Sequence, residues 1–173
     1  YLKSIYQSLY TYHQDNLYLP NIRGQRSLIE KDILARENYD LYESCVESGT
    51  AQFSFDDFVR FEKLENIKVI NNNDSLAVIS LIGDELEIYF IGVKRGLRNQ
   101  GVGKKFVRNI IKFAKDRRAT SVILEVNEKN TIALNIYRSL NFKGCGIRKN
   151  YYYKANGIRD NALIMRLKLN TVT

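Results

Sequence analysis

Residues 91–115 read IGVKRGLRNQGVGKKFVRNIIKFAK, and this stretch decides the fold class. Its first three residues end an apolar run typical of a strand, and a glycine turn from Arg98 to Gly103 follows. Beyond the turn, apolar residues recur every three or four positions and predict a helix: Val102, Phe106, Ile110, Phe113 and Ala114. A helix N-terminus exposes unpaired amide groups, so glycines at this point favour a seat for phosphate. Taken alone, the turn is equally compatible with close packing.

The segments before this turn predict a first strand and two helices, followed by a meander of three strands. We assign no structure to residues 1–28, although the apolar patch from Ser27 to Ile33 favours a first strand. A helix of about ten residues is predicted from Tyr39 to near Gly49, and a second short helix is predicted to begin at Phe55. Turn signals separate three further strands, which we expect to pair antiparallel: Ile67–Ile70, Leu76–Ile82 and Leu86–Val93.

The segments after the turn complete the sheet. A β-branched strand is predicted over Ser121–Val126, and Asn130 or Thr131 is expected to cap a helix that Asn141 ends in the left-handed conformation. A terminal hairpin is predicted around an Ala155-Asn156-Gly157 turn, with strands Cys145–Tyr152 and Asn161–Leu169. The sequence therefore predicts an α/β sandwich: a mixed, mostly antiparallel sheet with one βαβ crossover, a C-terminal β-hairpin and helices on both faces.

Charge is distributed unevenly along the chain. Residues 1–90 carry 8 Lys or Arg against 15 Asp or Glu, whereas residues 91–173 carry 19 against 4. The strongly basic second half indicates an anion-binding surface, and it includes the glycine turn. A basic module that binds RNA or the ribosome is an alternative interpretation, but the interleaved aromatic and basic signature of RNA-binding motifs is missing. We therefore expect no direct nucleic-acid binding.

Few residue types remain for catalysis. His13 is the only histidine, and Cys45 and Cys145 are far apart in the sequence, so we expect neither a histidine-based triad nor a metal site. Carboxylates, tyrosines and backbone amides are the candidates. No apolar run approaches the ~20 residues that span a bilayer, and no signal-peptide pattern is present, so we expect no membrane association and a cytoplasmic location.

Several ordered motifs resemble the GNAT acetyltransferase superfamily, and within it the ribosomal-protein-alanine N-acetyltransferase (RimI) family. They are Ile91-Gly92-Val93, Arg98 to Lys104, Leu124-Glu125-Val126, Asn130, Ala133 to Tyr137, Asn150-Tyr151-Tyr152 and Asp160 to Met165. The resemblance extends from about Tyr39 to Leu169 and implies the GNAT fold. We predict a GNAT acetyltransferase domain over residues 29–173, preceded by an extension over residues 1–28 that is a candidate tail of a preceding domain.

The resemblance implies acetyl-CoA as co-substrate, without a metal. The backbone of Ile91, Gly92 and Val93 would bind the pantetheine arm, and the amide of Val93 is a candidate to stabilise the thioester oxyanion. The remaining predicted cofactor contacts are Arg98, Asn99, Gln100, Gly101, Val102, Gly103, Lys104 and Asn130. Asn99 stands where the family usually has arginine.

Two residues match the catalytic pair of this family. Glu125 resembles its general base, and Tyr137 corresponds to the acid that protonates the departing thiolate of coenzyme A. The residues alone leave other interpretations open, because Glu125 could be a surface carboxylate paired with an arginine and Tyr137 a core side chain.

The resemblance also implies the acceptor. Tyr151 and Tyr152 lie in the hairpin that, in this family, covers the first residues of the substrate. The expected acceptor is a protein N-terminus, the alanine of a small-subunit ribosomal protein. An N-terminal amine has an unperturbed pKa of ~8 against ~10.4 for lysine, so a carboxylate base deprotonates it more readily. Acetylation of lysine or of a small-molecule amine is the alternative.

Overall fold

The structure is a computed structural model that describes residues 23–47, 52–153 and 159–169. The described helices are α1 Arg23–Cys45, α2 Phe55–Phe61, α3 Val102–Asp116 and α4 Thr131–Ser139. The described strands are β1 Ile67–Asn71, β2 Ser75–Ile82, β3 Glu85–Val93, β4 Ser121–Asn127, β5 Lys143–Tyr153 and β6 Arg159–Lys168. The chain divides into two compact units, residues 1–33 and 34–173, and the sheet belongs to the second. The predicted domain boundary near residue 28 stays a prediction.

Helix α1 corrects two predictions. The segment Ser27–Ile33, predicted as a strand, is helical, and the helix that was predicted to begin at Tyr39 has 23 residues. Leucine, glutamate, lysine and arginine are good helix formers and are frequent in Arg23–Cys45, so the apolar patch within it belongs to a helix period rather than to an alternating strand. From residue 34 onward the buried side chains keep that period: Ala35, Asn38, Tyr42 and Cys45.

Helix α2 begins where the sequence predicts. The Ser54 hydroxyl accepts a hydrogen bond from the Asp57 amide (3.3 Å), and the Asp57 carboxylate accepts one from the Ser54 amide (2.8 Å). This reciprocal capping box fixes the start of the helix at Phe55. Phe58 is fully buried on the side of the helix that faces the core.

The sheet has six strands in the order β1-β2-β3-β4-β6-β5. Only the β3–β4 pair is parallel among the described pairs, and α3 lies in its crossover. The predicted meander, βαβ crossover and terminal hairpin are therefore confirmed. The predicted turn Ala155-Asn156-Gly157 lies outside the described residues.

Two apolar clusters confirm that helices cover both faces of the sheet. On one face, α3 and α4 pack onto the strands through a cluster that includes Phe106, Ile110, Leu86, Leu124 and Met165. On the other face, residues 34–45 of α1 and helix α2 contribute to a second cluster with Tyr42, Phe58, Leu76 and Val78. Successive strand side chains point to opposite faces, so neighbours such as Leu76 and Ala77 belong to different clusters.

A β-bulge in β3 shapes the middle of the sheet. Val78 pairs with Phe90 and Ile79 pairs with Ile88, so Tyr89 is one extra residue in β3. The parallel pairing of β3 with β4 ends at the same level, with Ile88 opposite Leu124. Beyond that level β3 pairs only with β2, and β4 only with β6, as far as the described strands extend. The two central strands therefore splay apart and leave a gap.

Candidate active site

A cavity of about 320 Å³ occupies the gap between the splayed strands. Its walls include the second half of β3, the second half of β4, helix α4, the end of α1 and Tyr152 of β5. Six residues that the sequence singled out line it: Ile91, Arg98, Glu125, Asn130, Tyr137 and Tyr152. The fold thus brings both candidate catalytic residues to the same cavity, together with Tyr152, one of the two residues predicted to bind the substrate.

The other predicted site residues lie outside the cavity wall: Gly92, Val93, Asn99, Gln100, Gly101, Val102, Gly103, Lys104 and Tyr151. Gly92 has a packing role, because a Cβ atom there would lie 2.7 Å from the Cβ of Cys45. Gly103 faces the end of β3, since its Cβ position is 3.5 Å from a methyl carbon of Val93. The N-terminus of α3 is therefore next to the free end of β3.

The glycine turn leaves the start of α3 open. Gly101 is the N-cap residue with a left-handed backbone (φ 80°), and it offers no side chain to the first amides of the helix. The first turn of α3 holds no acidic residue, whereas Lys104 and Lys105 add positive charge. Unpaired amides, helix dipole and lysines together suit a diphosphate. The residues present therefore fit the phosphate groups of acetyl-CoA.

Arg98 has a structural role that the sequence did not suggest. Its Nη2 donates to the carbonyl of Cys45 (2.7 Å), and its Nε donates to the carbonyl of Val93 (3.3 Å). Its Nη1 also forms an ion pair with Glu47 (3.2 Å). Arg98 thus fastens the C-terminus of α1 to the end of β3, where a cation also favours the helix dipole. Its predicted contact with a phosphate group stays a prediction.

Glu125 combines both interpretations that the sequence left open. Its side chain is 18% exposed, and its Oε1 lies 2.7 Å from Nε of Arg148 on β5. The same carboxylate borders the cavity. Tyr151 is close by, and its pKa is raised by burial first and then by the charge and hydrogen bonding of Glu125. Arg148 also lies over the Tyr151 ring, 5.6 Å from its centroid.

Tyr137 is a buried neutral phenol. It is 6% exposed, and burial is the main cause that raises its pKa far above the usual value for tyrosine. Its ring packs on Phe142 with the centroids 5.7 Å apart. Its hydroxyl has no hydrogen-bond partner among the described residues, so it is free to donate into the cavity. Burial, with Tyr151 and Glu125 nearby, also raises the pKa of Tyr152 to about 12.

Asn130 caps α4, and it is one of the two caps that the sequence predicted. Its side-chain oxygen accepts a hydrogen bond from the amide of Ala133 (3.1 Å). This bond satisfies one of the amides that helix geometry leaves unpaired. The predicted contact between Asn130 and the cofactor stays a prediction.

A buried polar network below this cap was missed by sequence reasoning. Asp160 on β6 is 1% exposed, accepts from Nδ2 of Asn127 (3.1 Å) and forms an ion pair with Lys129. That contact raises the pKa of Lys129. Asn127 also accepts from the Lys129 amide (2.8 Å), so the turn before α4 is fastened to the terminal hairpin. Asp160 begins the motif Asp160 to Met165 that carries part of the family resemblance, but its contacts with Asn127 and Lys129 were not predicted.

No metal-binding group of three or more His, Cys, Asp or Glu side chains occurs within the described ranges. None of the helices in the described part of the chain is long and apolar enough to cross a membrane.

The sequence matches the model of the acetyltransferase (GNAT) family over residues 39–142, which is more than half of the chain. It is 34% identical over 109 residues to the [ribosomal protein bS18]-alanine N-acetyltransferase of Haemophilus ducreyi, covering 62% of this chain and 75% of the relative. It is 33% identical over 137 residues to the putative enzyme of that name from Bacillus subtilis, covering 75% and 88%.

Solved structures are similar as well. The crystal structure of the ribosomal-protein-S18-alanine N-acetyltransferase from Escherichia coli superposes with a TM-score of 0.67 and 25% identity, over 78% of this chain and 86% of that one. Ard1 from Thermoplasma volcanium gives a TM-score of 0.65 at 20% identity, over 79% and 93%, and that likeness concerns the fold alone.

Proposed function

The chain belongs to the acetyltransferase (GNAT) family, and from this premise we propose that it transfers acetyl from acetyl-CoA to the α-amine of a protein N-terminus. The proposed acceptor is the N-terminal alanine of a small-subunit ribosomal protein in the cytoplasm, because several relatives are named as bS18-alanine N-acetyltransferases. Glu125 is the proposed general base and Tyr137 the proposed general acid.

The donor is proposed to lie along the free edge of β3. Past Ile88 this edge has no partner on β4, so the backbone groups of Ile91 to Val93 are available to a ligand. The open N-terminus of α3 would hold the diphosphate beside it. Acetyl-CoA supplies the activated acetyl group as a thioester.

Glu125 would accept the proton that the amine loses. The amine nitrogen forms a bond to the acetyl carbon, the carbon–sulfur bond breaks, and the proton from nitrogen passes to the Glu125 carboxylate directly or through water. Arg148 holds that carboxylate by a 2.7 Å contact, which keeps it in one orientation. An N-terminal amine suits this base better than lysine, whose unperturbed pKa is ~10.4 rather than ~8.

Tyr137 would donate to the departing sulfur. Since a phenol with a raised pKa is a weaker acid than an ordinary thiol, its contribution is a hydrogen bond that grows as negative charge develops on sulfur. Burial of the leaving group in the same cavity makes it more basic and lets the proton follow. The products are an amide and a neutral thiol; Tyr137 then regains a proton from water, and Glu125 releases the proton that it took from the amine.

The observation that carries the proposal is the shared cavity. Glu125 from β4 and Tyr137 from α4 border one space at the splay of the sheet, and the Tyr137 hydroxyl has no partner among the described residues. A core tyrosine would be expected to satisfy its hydroxyl within the protein.

The test uses purified protein, acetyl-CoA and a peptide that begins with alanine, with mass spectrometry as the readout. Glu125→Gln and Tyr137→Phe should each lower kcat by about 10²- to 10⁴-fold. Glu65→Gln, an exposed carboxylate outside the cavity, is the matched control and should retain activity. Full activity in both cavity variants would refute the mechanism.

A second arm tests the acceptor. The same peptide blocked at its α-amine, but carrying a lysine, should not be acetylated. Acetylation of that lysine would move the function to the lysine or small-amine class while leaving the donor site in place.

A further inference from the structure

A buried tyrosine holds the cavity wall beside α1. Tyr42 of α1 is fully buried, and its hydroxyl oxygen accepts hydrogen bonds from the amides of Gln52 (2.6 Å) and Phe53 (3.0 Å). These two residues belong to the connection between α1 and α2. Gln52 is exposed and borders the active-site cavity, as Val46 and Glu47 do where the connection begins. One phenol thus fixes the backbone at the far end of this wall.

The Tyr42 ring is locked in place behind the wall. Its centroid lies 5.9 Å from that of Phe53, 5.3 Å from that of Phe58 and 4.8 Å from that of Phe90. Phe90 itself lines the cavity from β3. Because these neighbours surround the ring in a close-packed core, the hydroxyl stays directed at the connection.

The hydroxyl and the ring of Tyr42 have separate roles. The ring fills the core, whereas the oxygen is the acceptor for two main-chain amides that have no other acceptor among the described residues. An amide that loses its acceptor destabilises the conformation that placed it there. Phenylalanine at position 42 would keep the packing and remove both hydrogen bonds.

The wall lies on the sheet face to which Glu125 points. Glu125 stands between Leu124 and Val126, which pack toward α3 and α4, so its own side chain points to the opposite face. That face is covered by the second half of α1 and by α2. An amine at Glu125 therefore approaches beside the wall that includes Gln52.

We propose that Tyr42 is a positioning residue for the acceptor, because its hydroxyl fixes Gln52 where the incoming chain end meets the cavity wall. This inference rests on the proposed function, since it takes the α-amine to be at Glu125. The side chain of Gln52 both donates and accepts hydrogen bonds, so it suits the main chain of an acceptor of any sequence. Tyr42 would thus act on the affinity for the acceptor, and neither on the chemical step nor on acetyl-CoA.

The experiment measures kcat and both KM values for the full chain with acetyl-CoA and an alanine-initiated peptide. Tyr42→Phe should raise the KM for the peptide about tenfold, as expected for one or two lost hydrogen bonds, and leave kcat and the KM for acetyl-CoA within about twofold. Tyr39→Phe is the matched control. Tyr39 packs on the same aromatic cluster, but its hydroxyl interacts with Glu43 of the same helix, so all three constants should stay unchanged.

A second variant tests the route through Gln52. Gln52→Ala alters an exposed side chain, so it should fold normally and should also raise the KM for the peptide severalfold. In the double variant the KM should be no higher than in Tyr42→Phe alone, because both changes remove the same contact with the acceptor. A purely structural role would instead lower the active fraction, and with it kcat, at an unchanged KM.

The outcomes separate this inference from the proposed function. A wild-type KM for the peptide in Tyr42→Phe or in Gln52→Ala, or additive effects in the double variant, overturns the positioning role and leaves N-terminal acetylation standing. If Tyr42→Phe does not fold, the KM of Gln52→Ala decides by the same criterion. Failure of the wild-type enzyme to acetylate the α-amine overturns both.

Discussion

Helices α3 and α4 both follow a strand that borders the active-site cavity, yet their first turns are completed in opposite ways. At α3 the N-cap is Gly101, which has no side chain to offer, and the first turn holds no acidic residue. At α4 the N-cap is Asn130, whose side chain accepts from the Ala133 amide, and the preceding turn is fastened to Asp160. One helix end is left for a ligand, and the other is closed by the protein.

This difference shows how the fold separates binding of the diphosphate, at α3, from positioning of Tyr137, on α4. Both helix ends have the same unpaired amides and the same partial positive charge, so the helical geometry that follows each N-cap does not distinguish them. The side chains around each end decide the outcome. Lysines and glycines suit the open end to a diphosphate, whereas the closed end fixes the direction of the helix that carries Tyr137.

A negatively charged side chain at the open N-terminus of α3 should have the largest effect, and this effect should be on the KM for acetyl-CoA. Gly101→Asp and Gly101→Asn introduce side chains of the same shape at the same left-handed backbone, so their shared strain cancels in the comparison. Because a carboxylate would repel the diphosphate at short range, the KM for acetyl-CoA should be about 10- to 100-fold higher in the Asp variant than in the Asn variant. Steady-state kinetics measures this, and equal KM values would contradict an anion seat at α3.

Loosening the closed end should have an intermediate effect. Asp160→Asn removes the buried charge that holds Lys129 and Asn127, so it should lower the free energy of unfolding by about 1–3 kcal/mol. With the turn less constrained, kcat at saturating substrates should fall while the KM for acetyl-CoA changes little. Thermal unfolding and initial rates measure the two effects. Asp74→Asn in the exposed β1–β2 turn is the control, and an Asp160 variant that behaves like it would remove the positioning role.

Removing the cap alone should have the smallest effect. Asn130→Ala should cost about 1 kcal/mol of stability, and Asn130→Ser, which can still cap, should restore most of it. If Asn130 also binds the cofactor as predicted, both variants should share a severalfold higher KM for acetyl-CoA. An unchanged KM in both, measured beside chemical denaturation, would limit Asn130 to capping.

The fold was predictable where the sequence pattern is local. The stripe from Val102 to Ala114 has a clear helical period, and the turns between β1, β2 and β3 are marked by asparagine, aspartate and glycine. The Ser27–Ile33 prediction failed because a short apolar patch fits a strand and a helix equally until the longer period through Tyr42 is included.

The site was predictable in its residue types but not in its contacts. Glu125 with Arg148, Arg98 with the carbonyl of Cys45, and Asp160 with Lys129 join residues that are far apart in the sequence. Such pairs depend on strand order and register, which one sequence does not encode as a local pattern.

Because of the extra residue at Tyr89, the side chains of β3 face the correct sides of the sheet in only one register. Before it, even-numbered residues such as Ile88 face α3 and α4, and after it odd-numbered residues such as Ile91 do so. A single-residue insertion or deletion here would move the side chains before or after Tyr89 to the opposite face of the sheet. Lineages of this enzyme should therefore vary in loop length while the residue count from Glu85 to Val93 stays constant.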